Sequence, residues 1–323
     1  MDSQTSKRRR TDDAESPSIH KSEELWLPDG NIVIVVSDGT AYRVLKSFLG
    51  LHSEVFRDLF SAASSSADEQ YDGCDVVQLP DPPEDIRHLL KALHFRDYAV
   101  TKGLDSEANL SLLCSLMRSS SKYLVESIRK DVAAHLTTLF PSSLEEYRSP
   151  TRLSALSSDF NGILGVIVGE ECLPIILPIA YYQCAIRPIE ETLDGIDIDG
   201  RRVTLPPTAQ RTALIFRQRL YEKTHDDGNF AHYLVDIEGD GCCGAGIKFA
   251  LELMYSSSRS LEYDVLMKLI MGSDDEPQGF DICGECETQL EDLESDHQIE
   301  VWHALPEWCG RESWDSLQID DDA

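Results

Sequence analysis

Three stretches of this 323-residue chain carry residue types that could do chemistry. Gly239-Asp240-Gly241-Cys242-Cys243-Gly244 is a literal G-x-G-x-x-G, between a strand-like run at 233–237 and a helical pattern at 247–255. At a dinucleotide site such glycines let the backbone approach a pyrophosphate at a helix N-terminus. Here Glu238 and Asp240 would set two carboxylates against the phosphates, and no βαβ repeat surrounds the motif. A Gly-rich turn is the preferred reading. Cys283-Gly284-Glu285-Cys286 has the spacing of a zinc knuckle, in which two thiolates from one turn take two corners of a tetrahedron. Cys242 or Cys243 with His225 or His232 could supply the other two. A single pair does not define such a site, so free thiols in a helical turn are favoured over structural zinc, and a redox pair ranks last. Asp194, Asp197, Asp199 and Gly200 fail the calcium-loop register, because Gly195 stands at its first position and no Glu closes it. The histidines are scattered, His52 and His88 suit packing or surface roles, and no nucleophile–base arrangement is evident. The chain is therefore expected to be no enzyme and to need no cofactor or metal. Nucleotide or zinc binding at 239–244 and 283–286 is the distant alternative.

The elements that must position any functional surface are clearest between residues 31 and 60, NIVIVVSDGTAYRVLKSFLGLHSEVFRDLF. Residues 32–36 are a continuous β-branched run, the mark of a well-buried strand. Ser37-Asp38-Gly39 is a turn, with Gly supplying positive φ. Tyr42 and Val44 then alternate with polar residues as a returning strand does. From Leu45 the period becomes 3.6: Leu45, Phe48, Leu49, His52, Val55, Phe56 and Leu59 predict one helix of about four turns. Residues 61–73 read as a polar loop and 76–79 as a strand stopped by Pro80. A helix follows from Pro83 or Glu84, with Ile86, Leu89, Leu90 and Leu93 on one face, and helical patterns recur at 110–117 and 122–139.

This order resembles the opening of a BTB/POZ domain. Tyr42, Lys46, Leu49, Ser53, Phe56 and Phe60 match that family's pattern, while Asn31 stands where it has Asp and Leu45 where it has His. Phe95 with Tyr98, and Lys122-Tyr123-Leu124, look like later features of the same domain. The variant beginning LWLPDGNIV, together with VWHALPEWCGRESWDSL at 301–317, is similar to the fungal (mushroom-type) proteins of this family, with Cys309 in place of a Phe. In that closing segment Trp302, Leu305, Pro306, Gly310 and Trp314 match, a spacing that reads as a buried C-terminal anchor.

The expected fold is α+β: a tail over 1–21, a BTB/POZ domain over 22–139, and an acidic, mainly helical domain over 140–323. Ser143 to Glu146 is a capping box, and 162–171, 173–186 and 208–223 carry the best helical periods. The net charge of −29 disfavours general attraction to nucleic acid or anionic membrane. Residues 274–323 hold 17 acidic residues against one Arg, which reads as a solvated face or a dock for a basic partner. Nine scattered cysteines and a polar, basic start point to a reducing, intracellular setting. Lys7-Arg8-Arg9-Arg10 can be read as a nuclear import signal, although Asp2, Asp12, Asp13 and Glu15 offset its charge. The longest apolar run, 162–182, is broken by Glu170-Glu171, Pro174 and Pro178 and is too interrupted to span a bilayer.

The resemblance implies a binding module whose partners are proteins: itself as a homodimer, or alternatively a cullin, as the substrate adaptor of a ubiquitin ligase. BTB dimers resemble one another in pairing the first helix and strand, beside a pocket built on an Asp and a basic residue. Those positions here are Asn31 and Lys46, so the charge pair is expected to be lost and Lys46 to face solvent. Apolar contact from Leu25, Trp26 and Leu27 is then expected to carry self-association.

Overall fold

Four consecutive β-branched residues set the first half of the fold. Ile32–Val35 forms strand β2, and every one of its side chains is buried. A strand buried on both faces needs both neighbours to satisfy its backbone, and it has them: antiparallel β3 (Thr40–Val44) and parallel β5 (Cys74–Gln78). The β2–β3 turn is as expected. Gly39 has φ of 87°, and Asp38 Oδ1 accepts from the Thr40 amide at 2.8 Å. The computed structural model describes residues 19–63, 70–95, 98, 110–156, 162–198, 200–225, 264–267 and 284–317. It divides into two units, Met1–His94 and Phe95–Ala323. The basic run Lys7–Arg10, the Gly-rich turn 239–244, Cys283 and Asp199 lie outside the described residues, as do the side chains of Cys286 and His225.

Two further strands complete a five-stranded sheet, in the order β1-β3-β2-β5-β4. The largely polar make-up of both hid them. Strand β1 (His20–Trp26) pairs parallel to β3, with an irregularity between Lys21 and Trp26. Strand β4 (Gln70–Tyr71) returns onto β5 through Asp72 and Gly73, both at positive φ. Val33, Val35, Ala41 and Cys74 form the core of one sheet face, flanked by Ile19, Trp26, Tyr71 and Val76. Ile32 and Ile34 point to the other.

The single four-turn helix expected after β3 is two. Helix α1 (Lys46–His52) stops and α2 (Glu54–Ala63) begins at Ser53, whose backbone is extended (φ −145°, ψ 119°). The buried Ser53 hydroxyl accepts from the Phe56 amide at 3.0 Å, an N-cap that competes with helix continuation. Phe56 and Phe60 are buried as expected and stack at 5.7 Å. Helix α2 also takes residues 61–63 from the expected loop. Helix α3 (Pro83–His94) follows, burying Ile86, Leu89 and Leu90.

In the second unit, α4 (Leu110–Lys122) and α5 (Glu126–Leu139) are separated by Leu124 at φ 50°, so the helix expected from Lys122 starts four residues later. Short helices α6 (Leu144–Tyr147) and α7 (Pro150–Ala155) follow, each capped by a serine: Ser143 accepts from Glu146, Ser149 from Arg152. The apolar run at 162–182 supplies the core of this unit. Helix α9 (Leu177–Ala185) is buried along all nine residues, and α8 (Ile163–Glu171) packs on it through glycine. A Cβ on Gly162 would lie 1.9 Å from Ala180 O, and one on Gly165 2.6 Å from Phe140. Helix α10 (Ile189–Asp194) leads into a hairpin, β6 (Ile196–Ile198) and β7 (Arg201–Val203), which contains the acidic turn. Helices α11 (Pro207–His225) and α12 (Gly284–Trp308) pack on α9. The closing segment is anchored as its tryptophans predict: Trp302 stacks on Trp314 at 4.9 Å, and Trp314 Nε1 donates to Trp302 O at 3.0 Å. No helix among the described residues is long and apolar enough to cross a membrane.

Phe56→Ala should lower stability by roughly 3–5 kcal/mol, the usual cost of emptying a buried Phe site. Denaturant titration measures this, and a loss under about 0.5 kcal/mol would contradict the burial of Phe56.

Candidate interaction surface

The residues singled out for contact fall into three environments. Leu25 is fully buried, and the expectation that it forms part of an exposed apolar group is incorrect. Its neighbours explain the error: the segment is a sheet strand, and alternation turns Leu25 into the core. Trp26 and Leu27 are half-buried. The Trp26 ring meets Tyr71 edge-on at 6.1 Å, and the Lys21 ammonium sits 4.6 Å above it. Lys21 and Arg43 share Asp72 at 3.2 and 3.4 Å. Trp26 is thus engaged in the folded chain, by an aromatic from β4 and a cation from β1.

Asn31 and Lys46 are brought together, but not as expected. Asn31 Oδ1 accepts the Lys46 amide at 2.9 Å, satisfying an N–H that opens α1 and has no helical partner. The Lys46 ammonium does not face solvent alone. It lies 2.9 Å from Asp75 Oδ2, with the two side chains 25% and 28% exposed. Asp75 stands opposite Ile32 in the parallel β2–β5 register. The carboxylate absent at position 31 is therefore supplied by the neighbouring strand, and the expected loss of the charge pair is corrected. Asp75 is the charge partner that sequence reasoning missed, for its proximity depends on a register between strands about forty residues apart.

Among the described residues of the first unit, helix α1 carries the most exposed large apolar side chain. Leu51 is 78% exposed, and Ser47 and His52 beside it are exposed too. Behind them the Phe48 ring lies 4.9 Å from His52 and 4.8 Å from His94. Burial lowers the pKa of His94, which is held neutral with Nδ1 donating to Leu90 O at 2.8 Å. The outer edge of the sheet is different. Strand β1 exposes His20, Lys21, Glu23 and Glu24, the charged and irregular edge that discourages indiscriminate strand pairing.

Among the described residues no cluster of three or more His, Cys, Asp or Glu could hold a metal. Burial pushes the Cys184 and Cys309 thiols up to about 12, so neither is a ready thiolate.

Comparison with known proteins agrees with this picture for one segment. Residues 29–138 match the BTB/POZ domain family. No curated protein and no solved structure matches the chain. The chain therefore carries a BTB/POZ domain, a class that mediates protein interactions and oligomerisation rather than catalysis.

A double-mutant cycle of Lys46→Ala and Asp75→Ala should show coupling of about 0.2–1 kcal/mol that shrinks with added salt. Strict additivity of the two losses in thermal or denaturant unfolding would contradict the pair.

Proposed function

We propose that this protein is an interaction adaptor that assembles with a second copy of itself through its BTB/POZ domain, taken as residues 22–139, while the acidic helical region over 140–323 is left to contact other proteins. The observation that carries the reading is Leu51, the most exposed large apolar side chain among the described residues, on the first helix after the hairpin. An apolar group that protrudes from a short helix at the foot of a sheet gains by being covered. Trp26 and Leu27, half-buried at the end of β1, are the further contacts that segment can still offer once Leu25 is committed to the core. Lys46, held by Asp75, sits beside that surface as a fixed charge rather than a free one. Assembly then rests on apolar contact, with charge setting orientation. The resemblance of the 25–33 and 301–317 segments to fungal BTB proteins supports the same assignment for the chain as a whole.

Sedimentation velocity over a hundredfold concentration range tests this. The wild type should dimerise, and Leu51→Glu should sediment as a monomer with an unchanged melting temperature. A dimer that survives Leu51→Glu would remove helix α1 from the contact. A wild type that stays monomeric throughout would contradict self-assembly and turn the search to a heterotypic partner, a cullin among them.

A further inference from the structure

Independently of that reading, the second unit holds a four-residue stretch of the chain in the manner of a bound peptide. Asp264-Val265-Leu266-Met267 is gripped by side chains from three helical segments. The Asp264 carboxylate accepts from two phenols, Tyr147 at 2.6 Å and Tyr182 at 2.7 Å. Both phenols are fully buried, and burial first, then the charge of Asp264, pushes their pKa values well above the ordinary one, so both remain donors. Leu266 is fully buried and Val265 nearly so. The backbone is read as well: Arg148 Nε donates to Leu266 O at 2.8 Å, Gln298 Nε2 to Met267 O at 2.9 Å, and the Leu266 amide donates to Tyr182 at 3.3 Å. Arg148 also bonds the Gln298 carboxamide, which joins the two backbone readers.

The gripping residues are also held by contacts outside the stretch. Arg152, the largest fully buried side chain, lies 3.9 Å over the Tyr147 ring and donates to Leu139 O at 2.9 Å and Tyr147 O at 3.0 Å. Gln183 Nε2 donates to the Tyr147 hydroxyl at 2.9 Å, and Trp302 meets the Tyr147 ring edge-on at 6.0 Å. Tyr182 belongs to the wholly buried α9. Arg152 Nη2 is buried with no hydrogen-bond partner, leaving positive charge beside the Tyr147 ring. Such a site, emptied, would present two rigid donors to a carboxylate, an apolar seat next to it, and two polar readers for the carbonyls of a turn, the conformation Asp264–Met267 holds with the Met267 amide donating to Asp264 O at 3.0 Å. That is the equipment of linear-peptide recognition: a charged head fixes register, one apolar anchor supplies contact, and backbone bonds add affinity without regard to sequence.

We propose that Tyr147, Tyr182, Arg148 and Gln298, with Arg152 holding Tyr147 in place, form a recognition site for acidic-headed, turn-forming peptides of the form Asp-Φ-Leu, Φ being apolar, and that Asp264–Met267 occupies it in cis as a built-in competitor. A protein presenting the same motif binds when the internal copy leaves. An intramolecular occupant acts at high effective concentration, so the free chain takes peptide weakly and specificity falls to partners that also engage elsewhere.

The test uses the full chain and a fluorescein-labelled peptide of residues 261–270, followed by anisotropy. Asp264→Ala/Leu266→Ala disables the internal copy and should bind the peptide at least tenfold more tightly than wild type. Changing Asp to Asn or Leu to Ala in the peptide, or adding Tyr182→Phe to that variant, should cut binding at least tenfold. No binding by a variant that retains its melting transition overturns the proposal. Hydrogen exchange on the wild type guards against a variant that does not fold. The Leu266 amide should exchange at least a hundredfold faster than the amides of α9, as an occupant released by local opening does. Equal protection shows the stretch to be integral core, and it too overturns the proposal.

Discussion

Strand β2 is the constraint on which the first unit depends. With Ile32, Val33, Ile34 and Val35 all shut away from water, its amides and carbonyls can be satisfied only by flanking strands. That demand fixes β3 on one side and β5 on the other, and their registers decide everything else. Tyr42 opposite Ile34 sets the hairpin, which aims the chain into α1. Asp75 opposite Ile32 puts a carboxylate where the Lys46 ammonium can reach it. A one-residue slip of β5 would turn Asp75 to the other face and leave Lys46 half-buried and alone.

The same dependence explains what could be read from the chain beforehand. The hairpin, helix α3, the buried Phe56 and Phe60 and the two-tryptophan anchor are signalled by local period and composition, and these were legible. Strands β1 and β4 were not, because HKSEELW and QY carry little apolar alternation and are strands only through their neighbours. The split at Ser53 escaped the helical period, since a cap residue on the apolar face breaks the backbone while leaving the spacing undisturbed. Lys46 was the sharpest misreading. Its local motif lacks the family carboxylate, yet tertiary structure supplies one from a strand that sequence spacing cannot place opposite it.

In the second unit the constraint is close approach rather than strand pairing. Helices α8 and α9 meet where Gly162 and Gly165 leave no room for a Cβ, which accounts for a long apolar run that is a buried helix pair. Around that pair, aromatic rings and the buried Arg152 hold short helices in place. A polar network so completely surrounded is costly unless satisfied. Its phenol donors are spent on other parts of the same chain, including a carboxylate more than eighty residues away from one of them. No local pattern announces such a clasp.

The two units thus solve different problems: one builds a sheet that leaves a short helix with an unspent apolar side chain, and the other builds a sealed helical core around polar readers. Assembly through the first is the central claim, and amide hydrogen exchange of the full chain at low and high concentration addresses it most directly. Protection should rise with concentration in α1 and its flank, residues 45–54, while the amides of β2 stay unchanged. Exchange independent of concentration throughout, or a rise confined to other segments, would contradict it.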